Sequence, residues 1–427
     1  MAAVSGVDVS PDQVSVGVLV TAVPRDKIDV AVAACGVQAK RSDGKLPPHV
    51  TAYLTMGLWL FPDDDYTEVA TKVTGALDRF NCWNAAWSVP TSGGISQARQ
   101  RLGRDTLAEV FEQVAEPVAT PATRGAWVRD RRVLAIDGFD VDLPDTPGNV
   151  AEFGRTSSGG SDGSAFPKAR VVALTECGTH AFLAAEVGPW SDGEHTLAMP
   201  LYSRLRRGEL LTADRNFYSF TAWDRATATG ADCLWRLRSG IPLPVVKVLA
   251  DGTYVTMLTT KTIRGARRRR ILDAARAGTL EGCRDAVDDR GLPVVHLIRV
   301  IEYDVPDREG NGTGERVVLL SSILDPTAAR ADELAEAYHL RWEQETSHDQ
   351  LKTHLRGPGR ILRSRLPDLV HQEIWAWLLV HYAITVLITR AAESADIDPD
   401  RISFTRALRL IRRTATATAG IPPSGLG

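Results

Sequence analysis

Four residues late in the chain carry reactive side chains at helical spacing: Tyr338, Arg341, Glu345 and Lys352, within YHLRWEQETSHDQLK. At about 100° per residue, with Tyr338 at zero, Arg341 falls near 300°, Glu345 near 340° and Lys352 near 320°, so one predicted helix gathers all four within roughly 60° of arc. Ala337, Leu340, Leu351 and Leu355 lie beside them, so the polar group borders the buried stripe. A carboxylate at a core edge among cations suits work on a phosphate. Taken alone, Arg341 and Glu345 would equally fit an i,i+4 surface pair, and Asp349 rivals Glu345 in angle.

Two further carboxylates stand at strand ends. Asp137 closes the predicted strand RVLAID ahead of Gly138, and Asp214 closes ELLTAD ahead of Arg215-Asn216. The carboxyl edge of an open α/β sheet is where sites are built, and an unpaired Asp beside a core costs free energy that a metal ion would offset. Three hard oxygen ligands, Asp137, Asp214 and Glu345, suit Mg²⁺. Two such ions roughly 4 Å apart could activate a water and stabilise the leaving oxygen of a phosphoryl displacement. No soft ligands or paired histidines point to zinc, and His348 and His354 read as core or solvent residues. A lone strand-end Asp is commonly a turn or cap residue, with Asp140, Asp142 and Asp145 as competitors for Asp137. The third carboxylate, with Arg and Lys beside it, favours phosphodiester chemistry over a two-carboxylate glycoside hydrolase.

The elements that must position these groups follow from periodicity. Residues 1–125 read as an α-helical N-terminal domain, with helices at VAVAACGV, HVTAYLTMGLWLF and YTEVATKVTGALDRF. Within it, Ser96 to Arg104 forms a short arginine-rich helix after a Ser-Gly-Gly turn, a candidate recognition helix or an ordinary basic face. From Arg132, β-branched period-two runs (RVLAID, FDVDLPD, ARVVALTE, HAFLAAEV), then a helix at Leu197–Leu205 and the strand ELLTAD, predict a mixed α/β sheet. Residues 241–320 read as a β-rich insertion subdomain, after which Asp325-Pro326 opens the long helix as N-cap and first residue. The catalytic core thus takes 126–240 plus 321–410, and 411–427 reads as a flexible tail. Trp342, Trp375 and Trp377 are expected to pack in the core.

Composition narrows the setting. The formal net charge is −3 and 44% of residues are hydrophobic, so no uniformly basic coat exists and nucleic-acid contact must use local patches. Five scattered cysteines without a C-x-x-C pair fit free thiols in a reducing cytosol. MAAVSGVDVSPDQ shows no secretory pattern, and the apolar run Ile374–Ile388 is too short for a membrane span, so no membrane association is expected.

Tyr-x2-Arg-x3-Glu-x6-Lys, here Tyr338, Arg341, Glu345 and Lys352, resembles the signature of the insertion-sequence 4 family of bacterial transposases, DDE enzymes with an RNase H-like core. LAIDGFDVDLPDTPGN and LLTADRNFYSF resemble its two aspartate blocks, and the likeness runs over roughly residues 15 to 410. The resemblance implies an α/β (α+β) fold, with an RNase H-like mixed sheet and flanking helices interrupted by a β-rich insertion. It implies Asp137, Asp214 and Glu345 as catalytic, metal-binding triad, with two Mg²⁺ ions for which Mn²⁺ can substitute. Tyr338, Arg341 and Lys352 would contact phosphates. It further implies cut-and-paste transposition: cleavage at transposon ends and strand transfer into target DNA by a homodimer on double-stranded DNA, in the bacterial cytoplasm at the nucleoid. A catalytically decayed or repurposed DNA-binding protein of the same fold is the alternative.

Local charge supplies candidate DNA contacts. Lys261, Arg264, Arg267, Arg268, Arg269 and Arg270 cluster with no acid between Asp251 and Asp273, a patch able to neutralise several phosphates or a solvated helix start. Reading of the end sequence is assigned to Gln97, Arg99 and Arg101, because Arg and Gln pair bidentately with guanine and adenine.

Overall fold

The structure, a computed structural model, describes residues 17–38, 46–77, 89–156, 164–238, 241–305, 315–357 and 359–416. The chain opens with six helices: α1 (Gly17–Ala22), α2 (Arg25–Ala34), α3 (Pro48–Leu60), α4 (Tyr66–Leu77), α5 (Ser92–Leu102) and α6 (Thr106–Val114). Helix α3 starts with Pro at its first turn, where no amide hydrogen is needed, and is buried almost all round. Its Gly57 lets α4 approach, since a Cβ there would lie 2.5 Å from Val73 Cγ2.

Strands β1 (Trp127–Val128), β2 (Arg131–Asp142), β3 (Lys168–Glu176), β4 (Phe182–Pro189), β5 (Glu209–Ala213), β6 (Asp232–Arg236), β7 (Lys247–Val248), β8 (Tyr254–Thr259), β9 (Val295–Val305) and β10 (Glu315–Ser321) form one sheet of order β4-β3-β2-β5-β6-β10-β9-β8-β7, with β1 beside β2. β2 runs antiparallel to β3 and parallel to β5, and β5 parallel to β6. This is the mixed α/β sheet that the sequence predicts. Interspersed are α7 (Pro147–Phe153), α8 (Glu194–Tyr202), α9 (Phe220–Thr227) and α10 (Gly265–Ala277). Then follow α11 (Ala331–His339), α12 (Trp342–Asp349), α13 (Pro367–Ser394) and α14 (Phe404–Thr416).

The insertion at 241–320 is not a separate sheet. Its strands continue the core sheet through β10, whose Leu319 pairs with Arg236 of β6, and the expected boundary at 320 falls inside β10. Unpaired edge strands expose amide and carbonyl groups, and joining the main sheet satisfies them. The helical segment before residue 125 likewise shares one core with the C-terminal helices. Trp59 of α3 stacks on Trp377 of α13 at 4.8 Å and donates its indole N–H to the Glu373 carbonyl at 2.7 Å.

Helix α13, of 28 residues, is long and apolar enough to cross a membrane by length and composition. It is nevertheless buried by α1, α3, α6 and α14, the reading given to Ile374–Ile388. Residues 411–416 belong to α14, which corrects the flexible tail; 417–427 lie outside the described residues. Of the four described cysteines all are free, with Cys177 and Cys233 buried and Cys35 exposed.

Candidate active site

Asp137 lies in the middle of β2, not at a strand end: β2 continues to Asp142 along β3. The parallel pairing with β5, however, stops at Ile136 opposite Ala213. Asp137 and Asp214 are therefore the next residues in register, and Asp214 departs from the sheet just where Asp137 stays in it. The two carboxylates thus stand where the parallel pairing ends, at the carboxyl edge of β5.

Burial raises the Asp137 carboxyl to about 6; the Gly138 amide (2.8 Å) and Arg341 pull it down, while Glu194 and Asp214 push it up. The two carboxylates share the Arg341 charge, and Lys352 is a further cation that Asp137 attracts.

The expected long helix is broken. Asp325 caps a turn through Thr327 N–H at 2.8 Å, and α11 begins only at Ala331, where the Glu333 carboxylate accepts the Arg330 amide at 2.9 Å. A turn at Leu340–Arg341 separates α11 from α12, and residues Gln350–Leu355 form a π-helix. These breaks change the rotation per residue, so the uniform wheel over Tyr338–Lys352 does not hold. π-turns are uncommon and cluster at functional sites.

The breaks distribute the four residues around the two aspartates. Arg341, 9% exposed, sits over the Tyr338 ring at 5.7 Å. Burial lowers its pKa, but Tyr338, Asp137 and Asp214 outweigh that and hold it above the usual value. Burial pushes the Tyr338 phenol up to about 12. Lys352 lies over Phe139 at 5.0 Å; burial and Arg356 lower its pKa, against the pull of Asp137 and Asp140. Glu345 stands apart: its side chain is 59% exposed and its carboxylate is 3.6 Å from Arg341 Nη2.

Among the described residues no three His, Cys, Asp or Glu side chains are already gathered closely enough to cage a cation. The donors nonetheless fit a hard divalent ion. They are carboxylate oxygens, and burial of the Asp137 carboxyl disfavours its charge unless a cation balances it.

Other sequence assignments separate. Arg99 is fully buried, donating to Tyr66 Oη (3.0 Å), Ser364 Oγ (3.2 Å) and the Leu369 carbonyl (3.1 Å). It ties α5 to the start of α13 and is not presented to a base edge, whereas Gln97 and Arg101 are exposed. In the basic cluster, which forms the start of α10 and the turn before it, Arg270 is held by the Asp285 carboxylate (2.6 and 3.1 Å) and Arg267 by the Asp285 and Val287 carbonyls. Lys261, Arg264 and Arg269 are exposed and Arg268 half-buried. Trp375 and Trp377 are core residues, but Trp342 is 61% exposed. His348 is a core residue, with burial pushing it down to about 3; His354 pairs with Asp349 at 3.3 Å.

Residues 128–383 match the family described as Transposase DDE domain, and residues 13–112 match Insertion element 4 transposase N-terminal. The chain belongs to the insertion-sequence 4 family of DDE transposases. The transposase is 25% identical over 382 residues to Transposase InsG for insertion sequence element IS4 of Escherichia coli (strain K12), covering 89% of this chain and 78% of that one. It is 26% identical over 171 residues to Putative transposase InsZ of the same organism, covering 38% and 54%. Among solved structures it is similar to a piggyBac transposase synaptic complex with hairpin DNA, at TM-score 0.45 and 11% identity over 94% of this chain and 79% of that one. Membership makes the transposase a DNA-acting enzyme and implies dependence on a divalent metal.

Sequence reasoning missed Glu194, the first residue of α8, which lies against Gly138. It also missed the Asp140–Arg170 pair at 2.9 Å on the next turn of the pleat. No spacing rule links either to Asp137; the small residue directly after Asp137 was the available signal.

Proposed function

We propose that this transposase cuts and pastes its element, with Asp137, Asp214 and Glu345 as the catalytic triad and Tyr338, Arg341 and Lys352 as phosphate contacts. The observation that carries the reading is the adjacency of Asp137 and Asp214 across β2 and β5 with Arg341 facing both. Two Mg²⁺ ions, or Mn²⁺, would supply charge neutralisation and water activation there. The residues do the rest. Asp137 holds its ligand position because the sheet fixes its backbone, and Asp214 holds its own in the turn that follows β5. Arg341, buried and with N–H donors to spare, orients a phosphate bidentately. Lys352 meets a second phosphate oxygen from the next helical segment. The exposed indole of Trp342, next to Arg341, offers a stacking face for an unpaired base.

Glu345 completes the site by moving from its Arg341 contact toward the aspartates when a phosphate takes over the guanidinium. Cleavage would free a 3′-hydroxyl that attacks the second strand or target DNA. Two ends must be synapsed, so the DNA complex is assigned as a homodimer, acting in the bacterial cytoplasm at the nucleoid. Lys261, Arg264, Arg268 and Arg269 are assigned to the DNA backbone, and Gln97 and Arg101 to the element's ends.

The test is divalent-metal-dependent nicking of a DNA fragment bearing the element's ends, with Glu345→Gln as control. Equal cleavage by both proteins would remove Glu345 from the triad. Tight end binding without any cleavage by the wild type would favour a DNA-binding protein that has lost catalysis.

A further inference from the structure

Beyond Lys352, the same face of β2 meets a second cation for which the chain supplies no partner. Strand alternation directs Asp137, Phe139 and Val141 to one face of β2, and the π-segment packs on that face. Lys352 Nζ lies 5.0 Å from the centre of the Phe139 ring, and Leu351 and Leu355 share a core with Phe139 and Val141. Arg356 closes the π-segment, its amide donating to the Leu351 carbonyl at 3.0 Å with the i→i+5 spacing of that helix. Its guanidinium rests 5.6 Å from the Trp377 ring, and Trp377 is in T-shaped contact with Phe139 at 5.9 Å. Lys352 and Arg356 therefore both stand on the Asp137 side of the sheet.

Arg356 is costly where it is. Its Nε and Nη1 are enclosed and make no hydrogen bond, and among the described residues the guanidinium makes no ion pair within 4.0 Å. The acid that acts on it, Asp142, is already held by Lys168 at 2.8 Å. Lys352 and Arg356 repel each other, which with burial lowers the Lys352 pKa, and Lys168 adds to the effect. A buried charge without a partner destabilises a fold, and an apolar side chain of similar length would cover Trp377 without that cost. One end of the group is open: the residue is half-buried, and Nη2 is not enclosed as the other two nitrogens are. Orphaned donors and two repelling cations both call for an anion, and a phosphodiester backbone supplies negative charge and acceptor oxygens to both.

We propose that Arg356 is a further phosphate contact of the transposase, taking the backbone phosphate that adjoins the one held by Arg341 and Lys352. This rests on the reading that Asp137 and Asp214 mark the point of cleavage and that Lys352 faces the phosphate there. Position separates the two cations. Lys352 answers to Asp137 and Asp140, whereas the acid that acts on Arg356 is Asp142, further along β2 from the aspartate centre. A strand laid along this face meets Lys352 first and the open Nη2 end of Arg356 next.

Duplexes bearing the element's end, with single phosphates around the cut replaced by uncharged methylphosphonates, test this when binding to the full-length protein is followed by fluorescence anisotropy. Wild type is expected to lose about 10-fold in affinity at the phosphate that Arg356 contacts, the size of one charge-assisted hydrogen bond. Arg356→Gln is expected to bind the unmodified end about 10-fold more weakly. It should also be indifferent to methylphosphonate at that one position, keep its sensitivity elsewhere, and lose about one from the salt slope. Arg356→Lys, which restores the charge, is expected to recover the slope. Arg356→Met, which fills the space without charge, is expected to melt at or above the wild-type temperature, and it takes the place of the Gln variant if that one fails to fold. A wild-type methylphosphonate profile in Arg356→Gln or Arg356→Met would overturn the contact. So would failure of both variants to fold, which would make the guanidinium a structural part of the core. A sensitive phosphate that does not adjoin the cut would overturn the place of Arg356 beside Lys352. Wild-type cleavage in Asp137→Asn would instead overturn the aspartate centre, whatever Arg356 binds.

Discussion

Asp137 and Asp214 occupy successive register positions of one parallel strand pair, one step beyond the last pairing of Ile136 with Ala213. β2 continues while β5 ends, so one carboxylate is held by the sheet and the other by the turn that leaves it. Their juxtaposition is a product of unequal strand length.

Removing either carboxylate should abolish chemistry and spare binding. Asp137→Asn or Asp214→Asn is expected to lower the cleavage rate by at least about 10²- to 10³-fold, the range for losing one preorganised electrostatic element. Affinity for the element's ends, measured by fluorescence anisotropy, should stay near wild type or rise as like charge is removed. A variant that loses end binding and cleavage together would indicate a folding role.

The Asp137 carboxyl, raised by burial from 3.8 to about 6, makes metal-free stability pH-dependent. Well below pH 3.8 it is neutral in both folded and unfolded chains. As pH rises through the window from 3.8 to about 6 the unfolded chain ionises first, so stability falls across that window and the full cost remains above it. Asp137→Asn should therefore melt higher than wild type at about pH 8 without metal, by up to about 3 kcal/mol. The difference should shrink to a small remainder at about pH 4 and vanish about one unit lower. Divalent-cation affinity of the wild type should weaken as pH drops through about 6, because the proton competes for the ligand.

Arg341 faces both aspartates and Glu345. Truncation to Ala is expected to destabilise the metal-free protein by about 3 kcal/mol, since it strands partly buried carboxylates. Divalent cation should recover more stability in Arg341→Ala than in wild type, because it replaces the missing positive charge. Equal metal-induced shifts in melting temperature would show that Arg341 does not neutralise the site.

Arg99 and Gln97 sit two residues apart on α5 and should behave oppositely. Arg99→Ala removes three buried charge-assisted hydrogen bonds and is expected to cost about 3 kcal/mol of stability, with end discrimination intact in the folded fraction. Gln97→Ala should leave the melting temperature unchanged and lower affinity for the element's ends relative to random DNA. Loss of discrimination in Arg99→Ala at full foldedness would contradict its structural role.

The basic helix α10 offers a graded test. Replacing Arg268 and Arg269 by Gln should reduce the salt slope of DNA binding by about one for each phosphate that is no longer neutralised. Arg270→Gln should reduce it less, because Asp285 already holds that guanidinium. Equal effects at all three positions would mean that the Asp285 pair opens on DNA.

The sequence alone determined the order of elements, the α/β class and the family, because period-two and helical runs and the spacing of Tyr338, Arg341, Glu345 and Lys352 are local properties of the chain. It also marked Ile374–Ile388 as core, since so continuous an apolar run must be covered. It could not show that Arg99 is interior or Trp342 exterior: both depend on which elements from elsewhere in the chain pack against their helices. Nor could it reveal that β10 fuses the insertion to the main sheet, because pairing partners are a long-range choice. Tertiary structure alone decided that Asp137 and Asp214 stand in register and that Glu194, carried by a separate helix, reaches the gap left by Gly138. Side chains distant in sequence meet only after strand register and helix packing have fixed their backbones.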